Sequence, residues 1–199
     1  VSAAGDLLQA FHGYVMSRSD PLLQRFIEGF DWRMDERLLA AHRLPVLDHL
    51  NGLHAPADDA ERDLFSSLSS TASALHWGQT YSIADFGVDF LQRYGWVELF
   101  GTRGHFVSDD MVGGFLLLGP DVHYPDHHHT AEEIYIPLTD GPLWSKDGQH
   151  FLPRWSGEII HHPSDIRHAM RTEKMPLVAL YLWRGGPLAQ KSIISGREK

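Results

Sequence analysis

The sequence predicts a mainly β domain, a sandwich or closed barrel of short antiparallel strands, with a helical region in front of it. Two observations carry this. Before about residue 100, apolar residues recur at helical spacing between N-cap and proline signals. After Gly101, Gly and Pro become dense and apolar runs shorten to strand length. Residues 1–100 are therefore assigned to a helical region packed on the outside, and 101–199 to the β domain.

The helical half comes first. Leu7, Leu8, Phe11 and Val15 share one helix face. Asp20-Pro21 reads as an N-cap followed by proline in the first turn, and Leu22, Leu23, Phe26, Ile27 and Phe30 give the next apolar face. A further helix is predicted over Asp35 to Ala41. Pro45 restarts the chain, and Asn51-Gly52 ends that segment. Asp58 and Glu61 resemble a capping box ahead of Leu64, Phe65, Leu68 and Leu75. Asp85 is placed as the cap of a last helix carrying Phe86, Phe90, Leu91 and Tyr94. His12, His42, His49, His54 and His76 are read as surface or structural histidines.

The strands follow. Gly114 to Gly119 and Glu132 to Leu138 are buried-strand patterns, the second with Pro137 near its end. Asp140-Gly141 and Asp147-Gly148 are hairpin turns. Gln149 to Pro153, Glu158 to His162, Arg167 to Thr172 and Pro176 to Trp183 complete the series. In the last, Leu177, Ala179, Tyr181 and Trp183 share one face, and Val178, Leu180 and Leu182 the other. Both faces are apolar, as expected if helices cover the outside.

Composition narrows the function. The 199 residues suffice for a proper core without disulfides. With no cysteine, disulfides, thiolate-ligated zinc and cysteine nucleophiles are excluded. A net charge of −9 argues against nonspecific nucleic-acid binding. No apolar run approaches membrane-spanning length and no signal peptide is visible, so a cytoplasmic enzyme, monomer or homodimer, is expected.

The chemistry concentrates in Tyr124-Pro-Asp-His127-His128-His129-Thr-Ala-Glu-Glu133-Ile-Tyr135. Four of the chain's 14 histidines lie between His123 and His129. Read with a strand's period of two, His127, His129, Glu133 and Tyr135 project to one side. Two imidazoles and a carboxylate suit a first-row divalent ion and leave coordination positions open. A tag or solvated loop would lack Glu133 and Tyr135 in register. A further ligand is expected from another strand.

His127-x-His129-x3-Glu133, with Gly141 beyond it, resembles the first cupin motif, and Gly157-x5-Pro163-x-Asp165-x2-His168 resembles the second, with Asp165 where glycine is usual. The resemblance covers about residues 101–190 and implies a cupin jelly-roll β-barrel, with His168 completing the ligands. His161 and His162 are weaker candidates. Tyr124-x2-His127-x-His129-x3-Glu133-x-Tyr135 is similar to the cupin-type dimethylsulfoniopropionate (DMSP) lyases, and above all to the Q-type members of that group; the helical extension fits them too. This implies cleavage of a small sulfonium carboxylate to dimethyl sulfide and acrylate, with one divalent ion (zinc, iron(II) or manganese). It implies His129, Glu133, His168 and Tyr135 as ligands, His127 as a fifth ligand or substrate contact, and Tyr124 and Trp183 on the pocket wall.

The residues suit an elimination in their own right. A cation on the substrate carboxylate makes the adjacent C–H more acidic, and a phenolate can take its proton. Tyr135, on or beside the metal, is the expected base and Tyr124 its rival. Trp183, Tyr181 and Tyr124 are candidate faces for the sulfonium, ahead of Trp155 and Phe151. Arg103, Arg167 and Arg184 are read as surface charges that could steer the carboxylate. A cupin-type iron dioxygenase with the same ligands is the alternative. A sugar-binding cupin would need more basic residues, and a regulator a DNA-reading helix pair.

Overall fold

The structure is a computed structural model describing residues 2–195; Val1 and residues 196–199, the outer ends of the two expected regions, lie outside it. Helix α1 (Ala3–Ser17) starts where the Ser2 side chain accepts from the Gly5 N–H, and α2 (Pro21–Ile27) where Asp20 accepts from Leu22 and Leu23. A short 3-10 helix, Pro45–Leu50, precedes α3 (Asp59–Thr71). Asp58 caps α3 through the Ala60 and Glu61 N–H groups. The Glu61 side chain does not reciprocate; it is buried and bonded to Ser156. After β1 (Trp77–Gly78) comes α4 (Ile83–Gln92), capped by Ser82 with Asp85 in the third position, not by Asp85 itself.

The expected helix at Asp35 to Ala41 is not formed. Glu36 bridges to Phe106, the Arg37 N–H donates to the His105 carbonyl, and the Arg37 guanidinium binds the carbonyls of Gly104 and Thr102. Contacts distant in sequence outweigh local propensity here.

The remaining strands are β2 (Tyr94–Gly101), β3 (Phe106–Val107), β4 (Met111–Leu118), β5 (His123–His128), β6 (Glu132–Pro137), β7 (Leu143–Lys146), β8 (Leu152–Pro153), β9 (Ile160–His162), β10 (His168–Arg171), β11 (Leu177–Arg184) and β12 (Ile193–Ile194). The sheet thus begins upstream of Gly101. They form two sheets, one in the order β1-β2-β4-β11-β6-β9 with β3 beside β2, the other β12-β5-β10-β7-β8. Only the β2–β3 pairing is parallel among the described strands. This is a double-sheet jelly roll of the cupin kind, its sheets not hydrogen-bonded into a closed barrel.

Two cores follow from strand alternation. Val178, Leu180 and Leu182 face outward and pack with Leu7, Phe11, Leu64 and Leu68 of the helices; Phe11 meets Phe100 and Phe115 edge-on at 5.4 and 5.7 Å. Each such fully buried side chain contributes about 1.5–3 kcal/mol. Leu177, Ala179 and Tyr181 face inward and pack against Tyr124, Trp144 and Met170 of the other sheet. The functional groups sit at one end of this inner core.

Candidate metal centre and its cavity

The histidine-rich stretch is not one strand. His127 lies in β5 and pairs with His168 of β10 in the five-stranded sheet, whereas Glu133 and Tyr135 lie in β6 of the seven-stranded sheet. His129 falls in the crossing between them. β5 is hydrogen-bonded to β10 and β12, and β6 to β11 and β9, so the chain must change sheet at 129–131. The centre therefore spans both sheets, which a single strand could not enclose.

Ligand atoms of His129, Glu133 and His168 lie within 4.8 Å of one another, all buried. Backbone carbonyls fix the rings: the Nδ1 of His129 donates to Ala131 O at 2.9 Å, that of His168 to Ile166 O at 3.0 Å and that of His127 to Pro125 O at 2.9 Å. A carbonyl only accepts, so each Nδ1 carries hydrogen and, in a neutral ring, Nε2 presents a lone pair. Nε2 of His129 and of His168 each stand 3.2 Å from the same Glu133 oxygen, Oε2. The His168 Nε2 is buried without a hydrogen-bond donor or acceptor partner. Lone pairs converging on a carboxylate oxygen repel unless a cation lies among them. A proton on His129 answers part of this; a divalent ion answers all of it, and the nitrogen and oxygen donors fit one.

Two further side chains hold Glu133. Trp183 Nε1 donates to Oε1 at 2.5 Å, and His162 Nδ1 donates to Oε2 at 3.0 Å. Trp183 also stacks on His129 at 4.0 Å, and His162 on His168 at 3.9 Å. Both contacts follow from register, since Trp183 and His162 are the cross-strand partners of Glu133 on β11 and β9.

The electrostatics match this arrangement. Burial opposes the Glu133 carboxylate, but the His129 charge and the bonds from His129 and His162 hold it ionised far below the usual range. Burial works against an imidazolium at His129 too, yet Glu133 outweighs it and raises that group. Burial, then the nearby His168, lowers His162 to about 3 and His127 well below its ordinary value. Burial, then Glu133, keeps the Tyr135 phenol protonated well above its usual range; burial and Tyr94 do the same to Tyr124.

Beside the centre lies a cavity of about 230 Å³ whose wall includes Tyr124, His127, Tyr135, Tyr181 and Trp183. Tyr124 stacks on His127 with ring centroids 4.0 Å apart, and its hydroxyl pairs with that of Tyr81 at 2.8 Å. His127 touches the His168 ring at 4.1 Å.

The sequence pattern of the dimethylsulfoniopropionate lyase family matches residues 20–179. The chain belongs to this family. It is 35% identical to the dimethylsulfoniopropionate lyase DddQ of Ruegeria pomeroyi over 63% of this chain and 61% of that protein. It is 28% identical to the putative lyase DddL of Cereibacter sphaeroides over 71% and 60%. The chain spans about three fifths of the length of these curated relatives. Among solved structures, a chain from the DMSP lyases RdDddP and RnDddQII superposes with a TM-score of 0.88 at 31% identity, covering 97% of both chains. The R. pomeroyi DddQ crystal structure gives 0.87 at 26%, covering 99% of this chain and 98% of that one.

In this DMSP lyase family member, His129, Glu133 and His168 converge as one group, with Tyr124, Tyr135, His127 and Trp183 on the adjoining cavity. His127 stands outside the convergent group. His162, a weaker candidate in the sequence, is fully buried on Glu133, while His161 pairs with Glu132 instead. The signal for His162 was alternation: with Ile160 facing inward on the same strand, His162 must too. Trp155 is 54% exposed. Phe151 packs under Arg171, Arg167 pairs with Asp147, and Arg184 binds the carbonyls of Phe26 and Glu28. At Asp165 the backbone is left-handed (φ 59°), a conformation Asp tolerates, and its N–H holds the His129 carbonyl at 2.9 Å.

Proposed function

We propose that this protein is a metal-dependent DMSP lyase that splits its substrate by β-elimination into dimethyl sulfide and acrylate. The reading is carried by two phenols, Tyr124 and Tyr135, on the same cavity as the convergent His129–Glu133–His168 group, in a chain of the DMSP lyase family. His129, Glu133 and His168 would hold one divalent ion, zinc, iron(II) or manganese, with Tyr135 and His127 next in reach. Such an ion supplies a Lewis acid for the substrate carboxylate.

The chain's own groups do the rest. Tyr135 Oη is the base: as phenolate it takes the proton from the carbon next to the carboxylate. The C–H electron pair becomes the new C–C π bond. The C–S pair leaves with sulfur, so dimethyl sulfide departs neutral and needs no acid. Burial, and then the Glu133 charge, holds the Tyr135 phenol protonated. Offsetting that charge would ease loss of the phenol proton to solvent, which must precede the action of Tyr135 as a base. Tyr124, stacked on His127, is the rival base. Trp183, His127 and Tyr124 shape the pocket and exclude water.

The test is direct. Metal-loaded protein incubated with DMSP should release dimethyl sulfide into the headspace and leave acrylate, without consuming oxygen. No dimethyl sulfide, or oxygen uptake coupled to substrate loss as in a cupin dioxygenase, overturns the reading.

A further inference from the structure

The elimination uses one carboxylate, Glu133, yet the cavity carries a second. Glu98 projects inward from β2 with Tyr94 and Trp96, and its side chain is only 3% exposed. Its Oε1 accepts the Arg103 backbone N–H at 2.6 Å, which accounts for part of its burial as a loop clamp. Its counter-charge is incomplete. The Arg103 Nε reaches Oε2 only at 3.4 Å, and the Arg103 side chain is 53% exposed. The guanidinium carbon lies 5.4 Å from the Trp96 ring centroid. A cation thus already rests on an aromatic face beside this carboxylate.

Register places Glu98 relative to the metal group. Glu98, Gly114, Tyr181 and Tyr135 face one another in a row across four strands. At about 4.8 Å per strand, the two ends of the row are roughly 14 Å apart at the backbone. The row has a gap in its floor at Gly114. A Cβ there would stand 1.9 Å from the Val97 carbonyl, so only glycine fits beside the irregularity of β2 between Glu98 and Phe100. Tyr181 closes the gap on the other side and reaches back to β2, its hydroxyl 3.4 Å from Val97 O.

The geometry points to Glu98, with Trp96 and Tyr181, as the subsite for the cationic end of the substrate, an onium centre, either sulfonium or quaternary ammonium. Arg103 holds the place of that cation and swings to solvent as the ligand enters. The cavity then has two electrical ends, one for each charge of a zwitterion. This rests on the reading of the cavity as a DMSP lyase site. It opposes the other use of Arg103, as the clamp for the substrate carboxylate, and the two predict changes of opposite sign.

The experiment uses the metal-loaded protein and two half-ligands, tetramethylammonium and propionate, titrated by calorimetry, with the KM for DMSP measured alongside. Glu98→Gln should weaken tetramethylammonium about tenfold and raise KM, with propionate unchanged within twofold. Arg103→Met should tighten tetramethylammonium and lower KM. The proposal is overturned if wild type does not bind tetramethylammonium, if Glu98→Gln binds it as wild type does, or if both probes weaken equally, as a loop clamp alone would give. It is also overturned if Arg103→Met weakens or leaves unchanged the cation's binding. That arm decides alone if Glu98→Gln fails to fold. If wild type releases no dimethyl sulfide, the lyase reading fails, while the tetramethylammonium comparison still decides the cation subsite.

Discussion

Trp183→Phe isolates one interaction that orients the metal group. The indole N–H donates to Glu133 Oε1 at 2.5 Å, while the other oxygen faces His129, His162 and His168. Phenylalanine keeps a ring to stack on His129, which the indole meets at 4.0 Å, and removes only the donor. Glu133 has no exposed surface, so water cannot replace the bond. A hydrogen bond to a buried charge is worth about 1.5–3 kcal/mol, or roughly ten- to a hundredfold in an equilibrium constant. A lost outer contact to a metal-ligating carboxylate costs affinity on the same scale. Competition for zinc against a chelator of known affinity reads this directly, with the melting temperature of the stripped protein as control. The expected result is a ten- to hundredfold weaker site. A variant that binds zinc within twofold of wild type would refute the claim that the indole fixes the carboxylate.

Other outcomes follow from the same geometry. Tyr135→Phe should lower kcat by about a hundredfold or more with metal still bound; near-full turnover would move the base to Tyr124, where Tyr124→Phe would then show the loss. Metal-stripped protein should lose stability on acidification. His162, at about 3 when folded against 6.5 ordinarily, stays neutral in the fold while its unfolded counterpart takes a proton, which costs about 2 kcal/mol between pH ~6.5 and ~5. His127 acts in the same direction, Glu133 adds its loss below about pH 4.5, and His129, being raised, opposes them by contributing fully below about pH 6.5. Urea midpoints that do not fall between neutral pH and pH ~5 would contradict this. Gly114→Ala should cost about 3 kcal/mol or prevent folding, because its Cβ would meet the Val97 carbonyl; an unchanged melting temperature would show that β2 can give way.

Much of this was legible in the chain. Asp20-Pro21 and Asp58 mark helix starts because an N-cap acts locally. The alternation of Leu177 to Trp183 separates the outer core from the inner one because a strand's faces do not depend on its partners. His127, His129 and Glu133 stand out because few residue types bind metal, whereas His168 is reached only through the resemblance to the second cupin motif. What was hidden depends on pairing across the fold. Asp35 to Ala41 has helical residues, but the carbonyls of residues 102–105 hold it extended. Tyr94 reads as part of the last helix and residues 95–100 fall in the helical region, yet β4 draws 94–101 into the sheet. His127 to Tyr135 keeps a strand's parity across a crossing between sheets, so the side chains fall correctly on the wrong element. The bonds of Trp183 and His162 to Glu133 exist only once β11 and β9 flank β6.

Metal titration into chelator-stripped protein, with ion content and dimethyl sulfide release followed together, tests the centre most directly. Activity should rise in proportion to bound ion and saturate at one per chain, and His168→Ala should lose both. Full dimethyl sulfide release from stripped protein, or an active His168→Ala variant that binds no ion, would contradict the assignment of His129, Glu133 and His168 as the metal-holding group.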